Sequence, residues 1–182
     1  MSGSTLWLCP PATSQLPSLV ERLADAHQTN EVFSPHATLA SEEIVPALPV
    51  EELVEKTKKG LEQWREQQLG DQYYQCVLAT LFPEQALLSL HEAVVRQFSL
   101  PSPPPPYFPH VSLVYGDLSI GLKASIIEDL KAQGEVTELE GEEGVKIAGK
   151  KDFVPTEVLL VKTSGPCSTW EVLASIPLFD QK

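Results

Sequence analysis

Two stretches decide the fold: Phe33-Ser34-Pro35-His36-Ala37-Thr38-Leu39 and Tyr107-Phe108-Pro109-His110-Val111-Ser112-Leu113. Each ends in Pro-His-x-[Ser/Thr]-Leu, and each closes the same upstream layout. The first unit opens on the apolar run Leu6-Trp7-Leu8-Cys9, stopped by Pro10, and continues through an amphipathic helix. The second opens on Ala79-Thr80-Leu81-Phe82, stopped by Pro83, and continues through another helix. Pro10 to His36 is 26 positions and Pro83 to His110 is 27. A strand–helix–strand block written twice at matched spacing is an internal duplication, and a duplication predicts pseudo-twofold symmetry.

The remaining elements follow outward from these units. Leu16, Leu19, Val20 and Leu23 share one helical face, while Glu21, Arg22 and Asp25 face away. Pro49 opens a helix over 50–69, with Leu53, Val54, Thr57, Leu61 and Trp64 on one stripe and Gly70 as its stop. Residues 73–82 read as a strand, 84–98 as a helix and 107–118 as a segment containing a strand. The proline run from Pro101 to Pro106 fits neither helix nor central strand and predicts a stiff surface loop. A further helix is expected over 119–132, an acidic hairpin or loop over 135–143, and strands over 145–153, 156–163 and 169–178.

The chain of 182 residues is long enough for one sizeable core or two small lobes. Its 13 basic and 25 acidic residues leave a net charge of −12, a field that repels phosphate backbones. A stable nucleic-acid complex is therefore not expected. No apolar run approaches the roughly 18–20 residues of a membrane span, and Met1-Ser2-Gly3-Ser4-Thr5 has no secretory character. Three widely spaced cysteines, Cys9, Cys76 and Cys167, argue against a disulfide framework or a metal cluster.

Side chains at i and i+2 of a strand point the same way, so His36 pairs with Thr38 and His110 with Ser112 on one face each. If the units pack about their pseudo-twofold axis, two imidazoles and two hydroxyls meet across a cleft. That set suits phosphodiester hydrolysis. Water attacks phosphorus in line with the departing oxygen, so a base and an acid are needed on opposite sides. Histidine titrates near pH 6.5 and supplies either form. The hydroxyls donate to the phosphoryl oxygens, where charge grows. No metal or other cofactor is required.

The paired His-x-[Ser/Thr] motif resembles that of the two-histidine (2H) phosphoesterase superfamily. Leu6-Trp7-Leu8-Cys9-Pro10-Pro11, the Phe33–Leu39 stretch and His110-Val111-Ser112-Leu113-Val114-Tyr115-Gly116 are similar to the cyclic phosphodiesterases of fungi and plants. The resemblance spans the chain. It implies an α+β fold over residues 1–182: a single two-lobed domain, bilobal and pseudo-twofold, with duplicated antiparallel sheets, outer helices and a central cleft. It implies hydrolysis of ADP-ribose 1″,2″-cyclic phosphate to the 1″-phosphate, in tRNA-splicing by-product metabolism, and of nucleoside 2′,3′-cyclic phosphates to 2′-phosphates. Carried over, His36 and His110 are the acid–base pair, with His110 expected as base and His36 as acid, and Thr38 and Ser112 bind the phosphate. Trp7 and Tyr115 match aromatic residues at the family's cleft, where Trp7 stacks on a base. Tyr115 poses a problem, because an offset of five from His110 puts it on the wrong face of a regular strand. The expected partner is a small cyclic phosphate, the expected state a monomer without membrane attachment, and the expected address the cytoplasm, with Golgi association as the alternative the resemblance carries.

Two other readings remain open on the residues alone: an RNA-end-processing enzyme of the same superfamily, and a module that binds a nucleotide phosphate without turning it over. His27 and His91 lie on helices without partners and read as structural. Cys9 and Cys76 read as inert buried thiols, and the Glu-rich segment at 138–143 lacks calcium-ligand spacing.

Overall fold

A computed structural model describes residues 3–29, 31–65, 77–98, 106–116, 118–141, 144–152 and 154–179. The expectations for Gly70, Cys76, the start of the 73–82 strand and most of the proline run fall outside the described residues, as does the side chain of Trp64. Strands β1 (Ser4–Leu8), β2 (Ala37–Ala40), β3 (Val77–Thr80), β4 (His110–Val114), β7 (Glu157–Lys162) and β8 (Glu171–Pro177) form one antiparallel sheet, in the order β3-β4-β2-β1-β7-β8. The acidic segment is a hairpin, β5 (Val136–Glu138) paired with β6 (Val145–Ile147). Helices are α1 (Leu16–His27), α2 (Val50–Arg65), α3 (Gln85–Val95) and α4 (Ile120–Ala132). The architecture is the expected α+β fold, with the two halves joined through β2 and β4 into one continuous sheet. Among the described residues no helix is long and apolar enough to cross a membrane.

Local chemistry sets the helix ends. The Ser14 hydroxyl accepts from the Leu16 amide at the start of α1, and Gln28 turns left-handed (φ 51°) at its end. Ser119 caps α4 by accepting from the Leu122 amide.

The duplication is visible in the strand pairing. In the first unit Leu8 pairs with Ala37 and Trp7 with Thr38, and then the register jumps so that Leu6 pairs with Ala40. In the second, Ala79 pairs with Val111 and Leu78 with Ser112, and the register jumps so that Val77 pairs with Val114. The same bulge, at Leu39 and at Leu113, occurs in both copies. This register makes Trp7 the counterpart of Leu78 and Leu8 that of Ala79. The proline-anchored alignment, which matched Leu8 to Leu81, is thus two residues out, an even slip that preserves the faces.

Each unit's helix lies on the other unit's strand, α1 on β4 and α3 on β2, and α3 packs most extensively against α2. Leu6, Leu8, Ala37, Leu39, Val111, Val158 and Leu160 bury their side chains with Leu53 and Leu61 of α2 and Leu90 and Val94 of α3. Val77, Ala79, Leu113 and Val114 pack with Leu19 and Leu23 of α1 and Ile126 and Leu130 of α4. Gly60 lets α2 and α3 approach closely, since a Cβ there would stand 2.6 Å from the Val94 Cα. His91, read as structural, is buried in α3. Its Nδ1–H donates to the Leu39 carbonyl at 2.7 Å, and its ring stacks on Tyr107 at 3.9 Å.

Candidate active site

With the helices covering one face, the other face carries the polar residues of both motifs. Strands β2 and β4 pair antiparallel with Ala37 opposite Val111. Carrying that register one residue each way sets His36 opposite Ser112 and Thr38 opposite His110. The two histidines occupy one diagonal of a four-cornered patch and the two hydroxyl residues the other. Cross-strand neighbours lie about 5 Å apart and diagonal ones about 7–8 Å. Long side chains on such a diagonal can reach toward one another across the patch.

Both imidazoles are oriented by the same device. The Nδ1–H of His36 donates to the Ser34 carbonyl at 2.6 Å, and that of His110 donates to the Phe108 carbonyl at 3.0 Å. A carbonyl only accepts, so Nδ1 carries the proton and Nε2 is the nitrogen available for proton transfer. The i−2 geometry recurs because each histidine follows a proline that holds the chain extended before the strand.

Coverage is where the two copies diverge. The His36 ring lies flat under the Trp7 indole, 3.6 Å between centroids and 8° between planes, and is 4% exposed. Burial pushes its pKa down to about 4, against the pull of the Ser34 carbonyl, and nearby His110 adds to the depression. His110 is only half-buried, with the Phe108 ring tilted beside it at 5.7 Å.

The bulge also resolves the position of Tyr115. An extra residue at Leu113 inverts the alternation, so Val114 points into the helical core and Tyr115 turns to the His110 side. There the Tyr115 ring meets Phe33 at 4.0 Å and the edge of Trp170 at 6.1 Å. Trp170 in turn stands edge-on to Trp7 at 5.5 Å, with its Nε1–H donated to the Gly165 carbonyl at 3.0 Å. Sequence reasoning did not single out Trp170. It lies far along the chain, and only the pairing of β7 with β1 brings it over Trp7.

Trp7, which the resemblance places at the cleft to stack on a base, is 4% exposed, with one face given to His36. It packs on the histidine and offers almost no surface to a base. Cys9, on the same face, is an inert thiol as expected, its pKa pushed up to about 12 by burial and by the Glu157 carboxylate. Among the described residues no group of His, Cys, Asp and Glu is arranged to hold a metal ion.

A family model described as cyclic phosphodiesterase-like protein matches residues 1–178. The chain belongs to that cyclic phosphodiesterase-like family. Membership and the 2H-like arrangement point to the same chemistry, a hydrolase acting on cyclic phosphates. No curated protein gives a significant match to the chain.

Proposed function

We propose that this member of the cyclic phosphodiesterase-like family is of the eukaryotic, fungal and plant kind. On this reading it opens ADP-ribose 1″,2″-cyclic phosphate to ADP-ribose 1″-phosphate and nucleoside 2′,3′-cyclic phosphates to 2′-phosphates, without a metal. The observation that carries the reading is the β2–β4 register, which gathers His36, Thr38, His110 and Ser112 on one face.

The cyclic phosphate sits among the four side chains, with Thr38 and Ser112 donating hydroxyl protons to its non-bridging oxygens. One Nε2 takes a proton from water as the water oxygen bonds to phosphorus. The phosphorus–O3′ bond breaks, and the opposite imidazolium gives its proton to O3′. The product is a 2′-phosphomonoester, and return of one proton between the rings through solvent resets the site. Each proton transfer contributes roughly 10²–10⁴ in rate. The buried His36, neutral at pH 7, supports His36 as the base and His110 as the acid, the reverse of the order expected from the resemblance.

The test is turnover of adenosine 2′,3′-cyclic phosphate followed by ³¹P NMR. The 2′-phosphate should accumulate, activity should survive EDTA, and His36→Ala and His110→Ala should each lose at least about a hundredfold while remaining folded. Full activity in both variants, or a 3′-phosphate product, overturns the assignment. Tight binding of the 2′-phosphate with no turnover under enzyme excess would favour a binding module instead.

A further inference from the structure

With Trp7 committed to His36, the base of a nucleoside substrate needs another surface, and the opposite side of the site offers one. Strand β3 pairs with β4 so that Thr80 stands opposite His110. The Leu81 amide then bonds the Pro109 carbonyl at 3.2 Å, which extends the ladder past the ends of both strands. The next step of this register sets Phe82 beside Phe108. Alternation places Leu81 and Pro109 toward the helices and both phenylalanines on the face that carries His110. Leu81 does pack on the helical core, and Pro109 is buried. Phe82 is 47% exposed and Phe108 45%, although each is a large apolar ring.

Scattered exposed apolar residues need no explanation. These two are not scattered: they share one face, stand at neighbouring register positions, and adjoin a proposed catalytic group. Phe108 is two residues from His110 along an extended chain and leans on its ring at 5.7 Å. In a nucleoside 2′,3′-cyclic phosphate the phosphorus and the base are attached to the same ribose, so a base reaches only the immediate surroundings of the phosphate site. In ADP-ribose 1″,2″-cyclic phosphate the ribose carrying the cyclic phosphate has no base, and its adenine lies beyond a diphosphate. Aromatic rings bind bases through their faces with little regard to sequence.

We propose that Phe108, flanked by Phe82, is the stacking platform for the purine or pyrimidine attached to the ribose that bears the cyclic phosphate. This surface makes nucleoside 2′,3′-cyclic phosphates the preferred substrate class. The inference rests on the cyclic phosphodiesterase reading given above. It fails separately from that reading, because it concerns only the ratio between substrates.

The experiment compares kcat/KM for adenosine 2′,3′-cyclic phosphate, base-free ribose 2,3-cyclic phosphate and ADP-ribose 1″,2″-cyclic phosphate. The natural protein should favour the nucleoside over the base-free ribose by about fivefold to a hundredfold, the range that base stacking on an aromatic ring supplies. Phe82→Ala should lower that ratio, Phe82→Ala with Phe108→Ala should bring it close to one, and Phe108→Trp should hold or raise it. Melting curves of each variant accompany the rates, and Phe108→Leu, which keeps an apolar side chain without a ring, serves as a second variant. A ratio unchanged in the double variant, or a loss shared equally by all three substrates, overturns the platform while leaving the hydrolase reading in place. Absence of turnover on all three substrates by the natural protein removes the hydrolase reading itself.

Discussion

Removing the Trp7 indole should return His36 toward the ordinary titration range of histidine. The ring is 4% exposed and lies 3.6 Å beneath the indole, and burial is the leading cause of its depressed pKa of about 4. Water admitted by Trp7→Ala to that face stabilises the imidazolium. The ceiling of the effect is full restoration to 6.5, and at about 1.4 kcal/mol per pKa unit this is ~3.4 kcal/mol of recovered hydration. One face remains packed, so a rise of about one to two units is the expected outcome.

Two measurements read this shift. Titration of the His36 Cε1–H by NMR gives the pKa directly, and kcat/KM against pH gives the essential groups of the free enzyme. In the natural protein, kcat/KM should hold nearly level from pH 5 to 7 on its acid side. At pH 5 about nine-tenths of His36 with a pKa near 4 is neutral, whereas a group restored to 6.5 would be only about 3% neutral, a difference of roughly thirtyfold. Trp7→Ala should therefore lose activity selectively between pH 6.5 and 5. A natural protein whose acid limb already lies near 6.5, or a variant in which the limb stays put, refutes the claim that Trp7 keeps His36 neutral.

The same burial links stability to pH. Because the folded pKa of His36 lies below its unfolded value, the unfolded chain takes up the proton first, so stability is intact above about pH 6.5 and falls as pH drops toward 4. Between pH 7.5 and 4.5 this amounts to ~2.5 kcal/mol, and denaturant melts of His36→Gln should show a loss smaller by about that amount; equal losses would remove His36 from the account. Thr38→Val and Ser112→Ala should each lower kcat by about 10²-fold, as expected for one donor to a charged transition state; rates within twofold of the natural protein would show that the hydroxyls do not hold the phosphate. Gly60→Ala should destabilise by ~1–3 kcal/mol despite alanine's better helix propensity, because the new methyl meets the Val94 backbone rather than a movable side chain. A raised Tm would contradict the tight α2–α3 contact.

The histidines and hydroxyls were legible because strand alternation is strict over three residues and the motif is written twice. Two features escaped the same reasoning because neither a bulge nor the point where pairing ends is written in the local pattern. Strict alternation from His110 puts Tyr115 on the wrong face because nothing in Leu113 marks it as a bulge; the extra residue is recognisable only once Val77 is seen opposite Val114. The opening strands were matched by their prolines, yet proline forbids a ladder bond without fixing where pairing ends. Pro10 stands two residues after Leu8, while Pro83 stands four after Ala79, because Leu81 goes on pairing with Pro109. Those two extra positions carry Phe82 to the side of Phe108. Trp170 was invisible for a different reason: its contact with Trp7 depends on long-range pairing that no local pattern encodes.

A duplicated frame by itself sets a chemical problem, since perfect symmetry would give two imidazoles of identical character where the reaction needs a base and an acid. The structure breaks the symmetry at equivalent positions around the two rings: Ser34 against Phe108 two residues before each histidine, and Trp7 against Leu78 on the opening strands. Trp7, opposite Thr38, corresponds to Leu78, opposite Ser112. The indole covers His36 and strips it of water, while the leucine leaves His110 half-exposed. The carbonyl partners at i−2 are the same in both copies, so orientation and tautomer are shared. Neither carries the difference; solvation does. The same exchange of tryptophan for leucine leaves the surroundings of His110 open to a base and covers one ring face of His36. Differences around the two rings, set in a repeated register, thus separate both the solvation of the two histidines and the side from which a base can approach.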